Sequence, residues 1–162
     1  MRTMRLTTAL SLLALTLLAA CGGGQKTTYS TSNGTATVTK NGNTTTYESK
    51  EGKVTVGQGA VDVTKLGAPL YPGATQTEDN GSITVTTASG QGSMASFTTT
   101  DPFAKVEAWY KAQLGKDAEK MSVNQGGNAV AEFVTSENTA NQTLVMVSSK
   151  DNKTQIVITH GK

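Results

Sequence analysis

Cysteine and histidine each occur once in these 162 residues, and arginine twice. A single cysteine, Cys21, excludes an intramolecular disulfide, even in a compartment that would permit one. A single histidine, His160, would have to serve any Ser-His-Asp or Cys-His site, and with no second imidazole or spare thiol a transition-metal site is not expected. His160 stands just past a strand, three residues from the C-terminus, where chains are commonly poorly ordered, so it reads as an incidental surface residue. Both arginines, Arg2 and Arg5, lie in the first five residues. Downstream of them, 14 − 2 = 12 lysines meet 12 acids, a formal charge of zero. The basic balance of the whole chain therefore comes from its start, and nothing favours a nucleic-acid partner or a polybasic hold on anionic lipid. No cofactor is expected.

What is present begins with Met1–Arg5, a short basic segment. An apolar run from Leu6 to Leu18 follows, too short to span a bilayer comfortably, which takes roughly 20 residues. Small residues before a cut complete a secretory signal. The ending Leu18-Ala19-Ala20-Cys21 resembles a bacterial lipobox. That resemblance implies cleavage before Cys21, a diacylglyceryl group on its sulfur and an acyl chain such as palmitate on the new amino group. Several acyl chains anchor stably where one is marginal. Residues 1–20 are thus read as a signal peptide. The chain then resembles a lipoprotein of the cell membrane or outer membrane, facing the periplasm or exterior. Gly22 in place of aspartate favours the outer membrane where two membranes exist.

The mature chain is long enough for one core, and not for two large domains. Residues 21–34, opening on Gly22-Gly23-Gly24, read as a flexible tether. Residues 35–60 read as a threonine-rich meander with turns at Asn41-Gly42 and Lys50–Gly52. Its apolar content is thin, so it is either a presented strand edge or a spacer. Residues 61–162 form the main domain. Pro72-Gly73 suits the central positions of a type II turn, with Leu66, Leu70 and Tyr71 buried around it. Alternation marks strands at 82–87 and 94–99, with Ile83, Val85, Ala95 and Phe97 expected on one buried face, and further strands at 121–123, 129–135, 143–149 and 154–159.

Between these strand groups lies the one convincing helix. Asp101 is a candidate N-cap, Pro102 suits the first helical position, and Gly115 suits the C-terminal stop. Phe103, Val106, Tyr110 and Leu114 make one stripe at the helical period. The order predicts an α+β fold: an antiparallel β-sheet with one α-helix packed on one face, preceded by a small β-meander.

The combination of Pro69-x-Tyr71-Pro72-Gly73-Ala74, Phe97-x-Thr99-x-Asp101 and Val106-x-x-Trp109-Tyr110-x-x-x-Leu114 resembles a group of small bacterial envelope lipoproteins. They carry a Tyr-Pro-Gly-Ala turn before an α+β domain. The likeness covers about residues 50–160 and implies a fold and an envelope setting, but it transfers no catalytic residue.

Other motifs dissolve on inspection. Gly90-x-Gly92-x-x-Ala95 matches a loose dinucleotide fingerprint, but the residues after it alternate as strand where the fingerprint needs a helix. Glu78-Asp79-Asn80-Gly81 lacks the spaced oxygens of a calcium loop and reads as a turn. Trp109 lies beside the helix stripe. It is either half-buried against the sheet edge or exposed as a partner-binding aromatic. The function expected is a non-catalytic binding or interaction module for an envelope protein or polymer. An enzyme acting on envelope polymer or lipid, and a passive structural lipoprotein, are the alternatives. If Cys21 carries the lipid, Cys21→Ser abolishes acylation and leaves an unprocessed precursor. Metabolic labelling with fatty acid checks this, and a labelled, processed variant would refute it.

Overall fold

The computed structural model describes residues 24–31, 34–77, 81–125, 127–135 and 141–162. The lipobox with Cys21, and Glu78–Asn80, lie outside them. The strands are β1 (Gln25–Thr31), β2 (Gly34–Asn41), β3 (Thr44–Ser49), β4 (Gly52–Gly57), β5 (Thr75–Gln76), β6 (Ser82–Thr87), β7 (Gly90–Thr99), β8 (Glu119–Gln125), β9 (Asn128–Val134), β10 (Thr143–Lys150) and β11 (Lys153–Gly161). The helix α1 (Phe103–Leu114) falls between β7 and β8. All strands join one antiparallel sheet in the order β1-β2-β3-β4-β6-β7-β11-β10-β9-β8, with the two-residue β5 beside β7. The fold is the expected α+β sheet with a single helix on one face and a strand meander ahead of it.

Register decides what is buried. Across the centre, Phe97 pairs with Ile156 and Ala95 with Ile158. Those isoleucines pair in turn with Val147 and Val145, which face Ala131 and Phe133. These eight side chains form one face of β7-β11-β10-β9, and none is more than 2% exposed. Val106 and Tyr110 of α1 close over them at 0% exposure, with Phe103 beside them and Leu114 half-buried. The small Ala95, Ala129 and Ala131 leave room for the helix, and Phe97, Phe133 and Tyr110 fill it. Val61, Leu66 and Tyr71, from the segment between β4 and β5, cover the rest of this face.

The turns follow from their residues. Gly73 has φ +77° and Ala74 N–H donates to Tyr71 C=O (3.1 Å), the type II turn expected of Pro72-Gly73, with the Tyr71-Pro72 bond trans. Asp151 and Asn152 both take positive φ, 51° and 59°, in the two-residue hairpin joining β10 to β11.

Several expectations are corrected. Ile83 and Val85 do not share the face of Ala95 and Phe97. Ser82 pairs with Ala95 and Ile83 with Met94, so Ser82 points into the core and Ile83 and Val85 point away from it. The segment 21–34 is not all tether: Gln25–Thr31 is strand, paired with β2 along its length. The meander continues the main sheet, with β4 paired to β6 from Gly52–Thr87 to Val56–Ile83. Its first turn is Gly42-Asn43, one residue later than expected, with Asn41 paired to Thr44. At the helix start Pro102 is the N-cap and no side chain caps the amides. Asp101 is turned elsewhere, as described below.

The stripe on α1 generates a stability test. Val106→Asp places an unpaired charge in a dry site and should remove most of the about 5–15 kcal/mol typical of a domain. Ala104→Asp, on the exposed side of the first turn, should leave the melt within about 0.5 kcal/mol of the parent. Equal melting temperatures for the two variants would refute the packing.

Candidate functional site

Tyr71, Thr99, Asp101, Lys105 and Thr154 meet at one junction. The Tyr71 hydroxyl donates to Asp101 Oδ2 at 2.7 Å, and Lys105 Nζ reaches both carboxylate oxygens at 3.1 and 3.0 Å. Asp101 N–H donates to Thr99 Oγ1 (3.2 Å), and Thr154 Oγ1 donates to Asp101 C=O (2.7 Å). The Tyr71 bond, then Lys105, hold the Asp101 carboxyl below its ordinary range. The same contact pushes the Tyr71 hydroxyl up, and Asp101 raises the Lys105 amine. Asp101 thus ties the Tyr-Pro-Gly-Ala turn to the helix start.

Trp109 packs edge-on against Tyr71, ring centroids 5.3 Å apart, and against Tyr110 at 4.8 Å. Tyr110 in turn lies 5.9 Å from Phe133. The indole is half-buried in this aromatic file, which makes it a packing residue on at least two sides. The Tyr110 hydroxyl at its inner end has no well-aligned partner, and burial pushes its pKa up. Further along the helix, Ser122 Oγ donates to Glu107 Oε1 (2.6 Å), and Lys111 Nζ lies 2.7 Å from Glu119 Oε2. Both contacts clasp α1 to edge strand β8.

His160 is not an incidental chain end. It sits within β11, half-buried, with Nδ1 2.8 Å from Oγ1 of the buried Thr143. Gly67 presses on this pair at φ +71°, and a Cβ there would collide with Thr143 Oγ1 and come within 2.8 Å of Nδ1. The imidazole borders a cleft of about 540 Å³ shared with Asp62, Lys65, Ser93 and Lys162. Asp62 is engaged by Thr64 N–H and hydroxyl, at 3.1 and 2.7 Å, and by Lys65 at 3.6 Å. The group behind the ring is a hydroxyl, whereas a nucleophilic triad uses a carboxylate there.

The remaining feature is the sheet face that α1 does not cover. The register aligns Val38, Tyr47, Val54 and Val85 in one row across β2-β3-β4-β6, lining a shallow groove of about 240 Å³. A second row carries Val56, Ile83 and Met94, and continues through Thr159 to Leu144 and Val134. A third pairs Val157 with Met146. Tyr29, Tyr47 (51%), Val56, Val85, Met121 (44%), Val123 and Met146 are exposed on this face, and among the described residues Val63 is the one exposed large apolar side chain that lies elsewhere. Sequence reading missed this surface. The available signal was the unbroken apolar runs Leu144–Val147 and Ile156–Ile158, the pattern of strands buried on both sides.

No family model, no curated protein and no solved structure matches the chain.

The junction predicts a pH dependence. A carboxyl held below its usual value contributes stability that is present above the unfolded pKa of about 3.9, and lost as pH falls through the lower folded value. Asp101→Asn should therefore melt below the parent at pH 6, and the gap should close as pH drops below 4. Thermal melts across pH 2–7 check this. A gap that persists at pH 2 would assign the loss to something other than ionisation.

Proposed function

We propose that this chain is a lipid-anchored envelope protein, held through acyl groups on Cys21, whose folded part is a non-catalytic interaction module docking another protein on the uncovered sheet face. The observation that carries the reading is the concentration of exposed apolar side chains on that face. Monomeric soluble proteins rarely expose a contiguous apolar patch of more than a few hundred Å², and larger ones mark interaction sites. An exposed, pleated apolar layer suits the apolar layer of another protein chain. A charged polymer would want cationic rows, and the mature chain balances 12 lysines against 12 acids. Trp109 supports the module by positioning α1.

Photo-crosslinking in intact cells tests the docking face. A photoreactive phenylalanine analogue placed at Tyr47 or Met121 of the full chain should give protein adducts, and Val85→Asp should abolish the Met121 adduct. The same analogue at Ala104, on the outer side of α1, should give none. Adducts from Ala104 alone, or from all three positions without regard to Val85→Asp, would overturn the assignment of the face.

A further inference from the structure

The uncovered face also carries the oxidisable sulfur of the folded part. Resting on the docking reading above, we infer that Met121 and Met146 are modification sites, and that their conversion to the sulfoxide by hydrogen peroxide releases the docked protein. Three observations carry this.

The first is segregation. Of five methionines in the chain, Met94, Met121 and Met146 lie beyond the leader. Register puts all three on the uncovered face: Met94 pairs with Ile83, Met121 with Glu132, and Met146 with both Glu132 and Val157. The apolar core beneath α1 contains no methionine among the described residues. A flexible, polarisable thioether suits a binding surface, and it is also the apolar side chain that oxidation makes polar. The one cysteine sulfur, on Cys21, is blocked by lipid in the same reading.

The second is access. Met121 and Met146 flank Glu132 in one cross-strand row and are 44% and 38% exposed, so solvent reaches both sulfurs. Met94 is half-buried and is not included. In the reaction a sulfur lone pair attacks one peroxide oxygen. An S–O bond forms as the O–O bond breaks, and the departing hydroxide takes up the proton left on the transferred oxygen. Sulfur is oxidised by two electrons, and the peroxide is reduced to water. The step is reversible through methionine sulfoxide reductases.

The third is what the new oxygen meets. A sulfoxide oxygen accepts hydrogen bonds, and on the open face water supplies them. Beneath a docked apolar layer the donors must come from protein. The direct register neighbours, the Glu132 carboxylate and the Val157 side chain, offer none. The unmade bond therefore weighs on the docked state and spares the free one. Neither methionine packs under α1, so oxidation leaves the fold intact while it weakens docking.

The test uses the full chain in its own membrane, with the photoreactive phenylalanine analogue at Tyr47. Hydrogen peroxide should add one oxygen to each of Met121 and Met146, read by peptide mass mapping, and should cut the adduct yield several-fold. Methionine sulfoxide reductases of both stereospecificities should remove the oxygens and restore the yield. In a chain with Met121→Leu and Met146→Leu, which keep the volume and lose the sulfur, the treated and untreated yields should be equal. The melting temperature of the oxidised chain should match that of the untreated one. Adducts that persist with both sulfoxides present would overturn the inference and leave the docking face standing. So would methionines that stay unoxidised, a lowered melting temperature, or an equal loss in the double leucine variant, which would place the damage on the partner. No adduct before treatment would overturn the docking reading and the inference that rests on it.

Discussion

A sheet has two faces, and a chain that builds ten strands side by side must cover both or expose one. Here the cover amounts to α1 and the segment between β4 and β5, both on the same side. That side closes well: the sixteen buried apolar side chains among the described residues begin at Val61, and none comes from β1–β4. Ala95, Ala129 and Ala131 lower the floor where the helix lies, and Val106 and Tyr110 fill the space. The other side has residues of the same kind and, among the described residues, nothing above them.

Polar groups settle where the cover sits without holding it there. Lys105–Asp101 and Lys111–Glu119 are largely exposed at their lysine ends, 63% and 40%, and exposed ion pairs contribute little once solvent screens them. Their value is positional. Tyr71, Asp101 and Thr154 tie the turn, the helix start and the end of β11 nearest it into one junction, while Ser122 and Glu119 hold the far side of α1 to the sheet edge. The apolar stripe decides that the helix lies down, and the polar contacts decide along which line. Lys111 is accordingly no neutral surface site, because an acid placed there would face Glu119.

Local patterns were legible wherever the partner did not matter. The stripe from Phe103 to Leu114 and the Pro72-Gly73 turn could be read from spacing and backbone preference alone. Misreadings arose where a distant strand chose the outcome. Ile83 and Val85 alternate as a buried face should, but which face is inward depends on Ser82 meeting Ala95, and no local property of β6 encodes that. Gln25–Thr31 is polar and follows glycines, so it looked like tether, and it is strand only because β2 lies beside it. Asp101 had the residue type of a cap, and Tyr71, thirty residues earlier, claimed its carboxylate first. His160 was judged by its nearness to the chain end. Thr143 and Gly67, which hold it, lie far from it in sequence.

The placement of the meander has a mechanical consequence. β1 is the outermost strand of the sheet, and the chain enters it from the N-terminal side. A pull delivered through the N-terminus therefore reaches the edge before it reaches the core. Peeling β1, then β2, β3 and β4, breaks ladder hydrogen bonds strand by strand and disturbs no side chain buried under α1. Released in full, Gln25–Gly57 would add roughly 100 Å of extended chain. The meander can thus act as a slack line that yields under load while the helix-covered strands stay folded.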